Sequence, residues 1–212
     1  MQTSLPLHKQ KRIRTWSAKQ IAETKFKELQ LPDEFTQLIG TPSHNFCSII
    51  FGKAKSGKST FSLKLANALV PFGKVLYVSS EEMISKSLQS RIAHVNIDSD
   101  RIRFVGVRNV NDMERLVKSI HARFIIVDSA QVCNLSLRDF VRLKLTTFKN
   151  RKSWHIILQS TNNGMFKGGQ EWVHETDVKI QVADGIARAE GRFNPDGSMI
   201  VIPHKSLQTK LL

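Results

Sequence analysis

Phe46-Cys47-Ser48-Ile49-Ile50-Phe51-Gly52-Lys53-Ala54-Lys55-Ser56-Gly57-Lys58-Ser59-Thr60 decides how this chain folds. An apolar run of strand length is followed by G-x-x-x-x-G-K-S/T, matched at every fixed position, and then by a helix-length segment from Lys58 to Leu69. A strand, a glycine-rich turn and a helix start in that order form a phosphate cradle. The turn points backbone N–H groups inward, and the helix N-terminus adds the positive end of its dipole. Gly52 and Gly57 allow a close backbone approach that a Cβ would block. Gly52 to Thr60 are therefore the nucleotide-binding residues. Lys58 is expected to reach the β- and γ-phosphates, and Ser59 to place its hydroxyl on Mg²⁺.

Apolar runs alternate with helical periods on the C-terminal side of this loop. Strands are predicted over 46–51, 74–79, 103–107, 124–128, 155–159 and 178–182, with helices over 58–69, 83–93, 111–121 and 135–150. Strand and helix repeated this way imply an α/β fold, a mostly parallel sheet covered by helices on both faces. Segments 185–193 and 199–202 flank Asn194-Pro195-Asp196-Gly197, which reads as a β-hairpin. On the N-terminal side, a helix is expected from the cap Ser17 to Leu29, with Ile21, Phe26 and Leu29 as its apolar stripe. A short helix from Asp33 to Ile39 then closes at Gly40. The division is a basic arm over residues 1–40 and an α/β core over 41–212.

The 212 residues carry 32 Lys and Arg against 18 Asp and Glu, a formal charge of +14, which suits a polyanionic partner. With 41% apolar residues the chain can bury a core. No apolar run is long enough for a spanning helix, and no membrane or secretory role is expected. Cys47 and Cys133 are the two cysteines, which excludes a disulfide framework and a four-cysteine zinc site. A reducing cytoplasm is the expected location.

Phe124-Ile125-Ile126-Val127-Asp128 is an apolar strand ending in an acid, the Walker B pattern, and Asp128 is expected to hold Mg²⁺. Val75 to Ser80 runs into Glu81 and Glu82. Glu81 is the expected orienter of the attacking water, with Glu82 as the other possibility. Gln159 ends another strand, where it can sense the γ-phosphate. The glycine-rich segment from Asn162 to Gln170 holds Phe166 and Lys167, a stacking ring beside a charge, suited to single-stranded DNA. Arg138, Arg142 and Lys144 either add phosphate contacts or form a solvated helix face.

Taken together these residues resemble the RecA superfamily, and within it the ATPase core of RadA/Sms and DnaB-like proteins. Val75 to Glu82 is similar to the family's second strand. Ile126-Val127-Asp128-Ser129-Ala130-Gln131 is similar to its Walker B run, and Ala189-Glu190-Gly191-Arg192-Phe193 falls at its lysine-asparagine-arginine-phenylalanine-glycine motif. The resemblance implies a RecA-like ATPase using ATP and Mg²⁺. It implies a homo-oligomer, ring or filament, in which Arg192 reaches a neighbour's nucleotide, and a DNA-binding role for the Phe166–Lys167 loop. Recombination, replication or mobile-element processing, with a protein partner from those systems, is the implied setting. A DnaB-like hexameric helicase motor, or a nucleotide-switched DNA-binding or partner-loading module, are the alternatives. Glu190 departs from the family, standing where it has lysine, and Arg188 is placed to substitute for the missing cation.

Overall fold

The structure, a computed structural model, describes residues 15–80, 83–160, 169–194 and 196–202. Its centre is an eight-stranded sheet. In chain order the strands are β1 (Cys47–Gly52), β2 (Val75–Ser79), β3 (Ile102–Val105), β4 (Phe124–Asp128), β5 (Ser153–Gln159), β6 (Val178–Ala183), β7 (Ile186–Gly191) and β8 (Gly197–Ile200). In space they run β3-β2-β4-β5-β1-β6-β7-β8. The first six are parallel, and β7 and β8 add an antiparallel edge. All the predicted strand ranges lie within two residues of the observed ones, including the hairpin's first strand, expected over 185–193 and observed as Ile186–Gly191.

β1 and β2 are buried along their whole length. Apolar side chains alternate between two cores, one on each face of the sheet. On one face α3 (Lys58–Leu69) presents Phe61 and Leu65 to Ile50 and Tyr77. On the other, α5 (Val110–Ile120) buries Met113 and Val117, four residues apart, against Leu76 and Ile125. The Asn109 side chain caps α5 by accepting from Asp112 N at 2.9 Å. α4 (Lys86–His94) begins three residues later than predicted, at the Ser85 cap.

Two helices depart further from the sequence reading. α1 covers only Ala18–Ala22, closed by a Ser17/Gln20 capping box. Ile21 and Phe26 are exposed and Leu29 is buried elsewhere, so no apolar stripe forms and nothing propagates the helix. The segment 135–150 is α6 (Leu137–Val141) followed by a π-helical stretch, Arg142–Thr147. The wider turn, closed by Phe148 N donating to Leu143 O at 2.9 Å, accompanies burial of both Leu143 and Phe148. Within it Arg142 pairs with Glu114 and Lys144 lies against Glu175, so both cations have intramolecular partners.

α2 (Asp33–Ile39) matches its predicted range and ends at Gly40. It lays Phe35, Leu38 and Ile39 into the first core, where Phe35 meets Phe61 at 6.0 Å between ring centres. Gly197 opposite it is obligatory, because a Cβ there would sit 1.9 Å from Leu38 O.

His155, in the middle of β5, is fully buried between Ser48 Oγ at 2.9 Å and Ser153 Oγ at 3.1 Å. Burial pushes its pKa down to about 3 from an ordinary 6.5. Between those two values the unfolded chain binds a proton that the folded chain refuses, so stability falls as the solution is acidified through that window. Going from about pH 7 to about pH 5 is expected to remove about 2 kcal/mol through this group alone. Urea unfolding at a series of pH values checks this, and His155→Gln should flatten the decline.

Candidate nucleotide-binding site

Register assembles the site at the C-terminal edge of the parallel strands. Gly52 lies opposite Gln159, and Ser79 lies opposite Asp128. The chain then turns through Lys53–Gly57 into α3. At Gly52 a Cβ would lie 2.0 Å from Val182 O, so the loop can pass the neighbouring strand only as glycine. Gly57, with φ 102°, supplies the left-handed turn that starts α3. Lys58 Nζ reaches back over the loop, donating to Gly52 O at 2.9 Å and Lys53 O at 2.7 Å.

A cavity of about 420 Å³ opens beside the loop, lined by Lys58, Ser59, Asp128, Ser129, Gln159 and Ser160 among others. Ser59 Oγ donates to Asp128 Oδ2 at 3.0 Å, which joins the phosphate loop to the Walker B acid across 69 positions of sequence. Gln159 lines the same cavity from the end of β5. Its backbone N–H is held by Gln131 Oε1 at 3.1 Å, so the Walker B segment also fixes that strand end. A second cavity, about 480 Å³, lies across the loop and is walled by Gln181–Gly185 and Ile202. Its wall is the β6–β7 turn, where Asp184 (φ 50°) and Gly185 (φ 74°) make a two-residue hairpin loop. Phosphate loop in the middle, acid and amide on one side and an open wall on the other give a site long enough for a nucleotide. Ser56, Ser129 and Ser160 hydroxyls are buried there without a hydrogen-bond partner, as expected of a site shaped for a polar ligand.

The chain is similar in sequence and in fold to known proteins. No family model matches the chain. Over 100 residues it is 35% identical to the DNA repair protein RadA of Treponema pallidum (strain Nichols), a match covering 46% of this chain and 21% of that protein. The chain thus aligns with about a fifth of the length of that relative. The structure superposes on a KaiC-like protein from Pyrococcus horikoshii OT3 with a TM-score of 0.60 at 16% identity, covering 84% of this chain and 99% of that one. On the flagellar accessory protein FlaH from Methanocaldococcus jannaschii the TM-score is 0.62 at 13% identity, covering 84% and 98%. The fold is RecA-like.

Of the site residues read from sequence, the RecA-like core brings Gly52–Thr60, Asp128 and Gln159 together. Glu81, Glu82, Phe166 and Lys167 lie outside the described residues. The chain leading to Glu81 is nonetheless positioned, with Ser80 N 3.4 Å from Asp128 O. Arg192 stands apart from the loop. It follows β7 at the opposite end of the sheet, where its Nη1 is 3.1 Å from Asp177 Oδ1. Asp177 Oδ2 also accepts from Cys47 N at 2.8 Å, five residues before Gly52, which puts Arg192 about 16 Å from its own loop. Glu190 pairs with Lys179 directly across the β6–β7 ladder at 2.8 Å.

Sequence reasoning missed the support of Asp128. Tyr77, fully buried on β2, donates its hydroxyl to Asp128 Oδ2 at 3.1 Å and shares a 2.6 Å hydrogen bond with Ser62 Oγ. Burial first, and the Asp128 charge second, hold the phenol well above its usual pKa, so it stays a donor. A tyrosine in an apolar strand reads as core, and the only available signal was that Tyr77 shares the face of β2 that α3 covers. Tyr77→Phe removes a hydrogen bond to a charged group and is expected to lower stability by about 1.5–3 kcal/mol. The shift of the urea midpoint measures it, and Ser62→Ala, which leaves the Tyr77–Asp128 bond in place, should cost less.

Proposed function

We propose that this chain is a magnesium-dependent ATPase core that acts on DNA, single-stranded DNA being the favoured form. It would work as a homo-oligomer, ring or filament, in recombination, replication or mobile-element processing. The observation that carries the reading is the coupling of a complete phosphate loop to the Walker B acid through Ser59 Oγ and Asp128 Oδ2. The relative's name, a DNA repair protein, and the charge of +14 support the DNA half.

Among the described residues there is no cluster of three His, Cys, Asp or Glu side chains to cage a metal. Mg²⁺ needs no such cage when substrate phosphates supply most of its oxygens. One hydroxyl and one carboxylate on adjacent elements, Ser59 and Asp128, fit that ion. When bound, it would neutralise charge on the β- and γ-phosphate oxygens. Lys58 would turn from the loop carbonyls to the phosphates, Gln159 would contact the γ-phosphate, and Glu81 would orient the water. Phe166 and Lys167 would hold DNA. No helix among the described residues is long and apolar enough to cross a membrane.

Arg192 would complete the site of a neighbouring subunit. Its distance from its own loop supports this role, as does the exposure of its guanidinium, which lies at the surface beside the half-buried Asp177. A second reading, in which ATP acts as a switch with little hydrolysis, is favoured by Glu190. That side chain is engaged by Lys179 in place of the family's lysine, leaving one cation fewer on this edge.

Lys58→Ala is expected to abolish ATP turnover while the protein stays folded. Arg192→Ala should lose turnover, by about 10³-fold if it stabilises charge as a trans arginine, yet keep ATP binding. Mixing the two inactive variants should restore partial activity, because some interfaces then pair an intact loop with an intact arginine. Co-assembly without recovery would remove Arg192 from the mechanism, and full turnover by folded Lys58→Ala would overturn the site.

A further inference from the structure

At the end of the sheet opposite the phosphate loop, a basic residue immediately precedes each of four neighbouring parallel strands. Arg101 precedes β3, Lys74 precedes β2, Arg123 precedes β4 and Lys152 precedes β5. Strand register puts them in one row. Val75 pairs with Ile102 and with Phe124, and Phe124 pairs with Ser153, so the residues just before them are also side by side. The backbone carries the alignment into the row itself. Val75 N donates to Arg101 O at 2.9 Å, Arg123 N to Lys74 O at 2.8 Å, and Ser153 N to Arg123 O at 3.1 Å. With strands about 4.8 Å apart, four cations span about 14 Å.

Several other surface cations behave differently. Lys19, Arg115, Lys118, Arg142, Lys144, Lys179 and Arg192 each sit against a carboxylate. Among the described residues no ion pair involves any member of the row, including Arg101 with its sequence neighbours Asp98 and Asp100. Two members are also partly withdrawn from water. Arg123 Nε is buried with no hydrogen-bond partner, and burial lowers the pKa of both Arg123 and Lys152, the latter also through the Arg123 charge. His44, whose pKa is lowered by burial first and by the nearby Arg123 charge second, also has a buried and unpartnered Nε2. Lys152 Nζ donates to Ala122 O at 2.6 Å and lies over the Phe148 ring, contacts that leave its charge unneutralised. Like charges held side by side repel one another, and an anion relieves that repulsion.

We propose that this rim binds the phosphodiester backbone of a nucleic acid, as a sequence-independent track across the sheet from the nucleotide site. A regular row of cations with no aromatic side chain among its four members reads charge spacing and not bases. The inference rests on the nucleic-acid half of the proposed function and gives it a location among the described residues, at the end of the sheet opposite the phosphate loop.

The test measures binding of fluorescent oligo-dT and oligo-U of equal length to the intact chain across a salt series. Two double variants are compared, Lys74→Gln with Arg101→Gln, both exposed, and Arg123→Gln with Lys152→Gln. Each removes two phosphate contacts, so each should lower the slope of log K against log salt by about 1.4, for both oligonucleotides, with ATP turnover unchanged. The first pair touches no buried group and keeps the test valid if the second fails to fold. Unchanged slopes in the exposed pair while the wild type binds would overturn the rim and leave the DNA reading standing on Phe166 and Lys167, whose own substitution should then abolish binding. A wild type that binds neither oligonucleotide would overturn the rim together with the DNA half of the function, whereas the Lys58→Ala turnover assay judges the ATPase half separately. Binding to phosphatidylserine vesicles with no oligonucleotide binding would overturn the proposal in favour of a membrane surface.

Discussion

The close passage of Gly52 beneath the Val182 carbonyl is the constraint on which the site depends. β1 lies between β5 and β6, buried on both faces, and its chain must leave the sheet at once to form a loop wide enough for phosphates. It can do so only where no Cβ intervenes, since one at Gly52 would meet Val182 O at 2.0 Å. The same approach brings the β6–β7 turn against the loop and so creates the second cavity. A side chain here would push β6 away, lifting one wall of the site and loosening the antiparallel edge that follows it.

Asp128 shows how a half-buried acid at a strand end is held in place by side chains of the fold. Its Oδ2 accepts from Ser59 on the loop and from Tyr77 on the neighbouring strand, and Ser62 in turn holds Tyr77. One helix, α3, supplies both serines three residues apart, so the helix that the glycine-rich turn opens also orients the acid. A network of this kind in a low-dielectric interior is favourable only when every member is satisfied, and this one is satisfied through groups that an isolated strand does not possess.

The distribution of cations divides the molecule. Several cations on the helices and on the antiparallel edge are paired with nearby carboxylates, as ordinary solvated surface. Along the N-terminal rim they are not. The two ends of the parallel sheet therefore differ in kind. One carries glycines, hydroxyls, loop lysines and an acid around a cavity, and the other carries a row of four cations at the strand starts.

The phosphate loop, the α3 helix and the parallel strands were legible in the sequence because each is local. The loop's spacing, the helix it opens and an unbroken apolar run are all set by neighbours within a dozen residues, and β4 and α3 match their predicted ranges. Where the sequence misled, the missing information was tertiary. The segment over 17–29 has the apolar residues of a helix but no surface to bury them on, and 135–150 widens into a π-helical stretch where Leu143 and Phe148 are both buried. Nothing local marks Tyr77 as the support of Asp128, or the residues 74, 101, 123 and 152 as neighbours. They are separated by strand and helix units, and only the order β3-β2-β4-β5 and its register place them in one row. The sequence alone thus determined the strands, the helices α2 and α3 and the glycine-rich loop between β1 and α3, since backbone periodicity and glycine geometry are short-range. The tertiary structure alone decided which side chains share a carboxylate and which charges lie together, since those depend on strand order across the sheet.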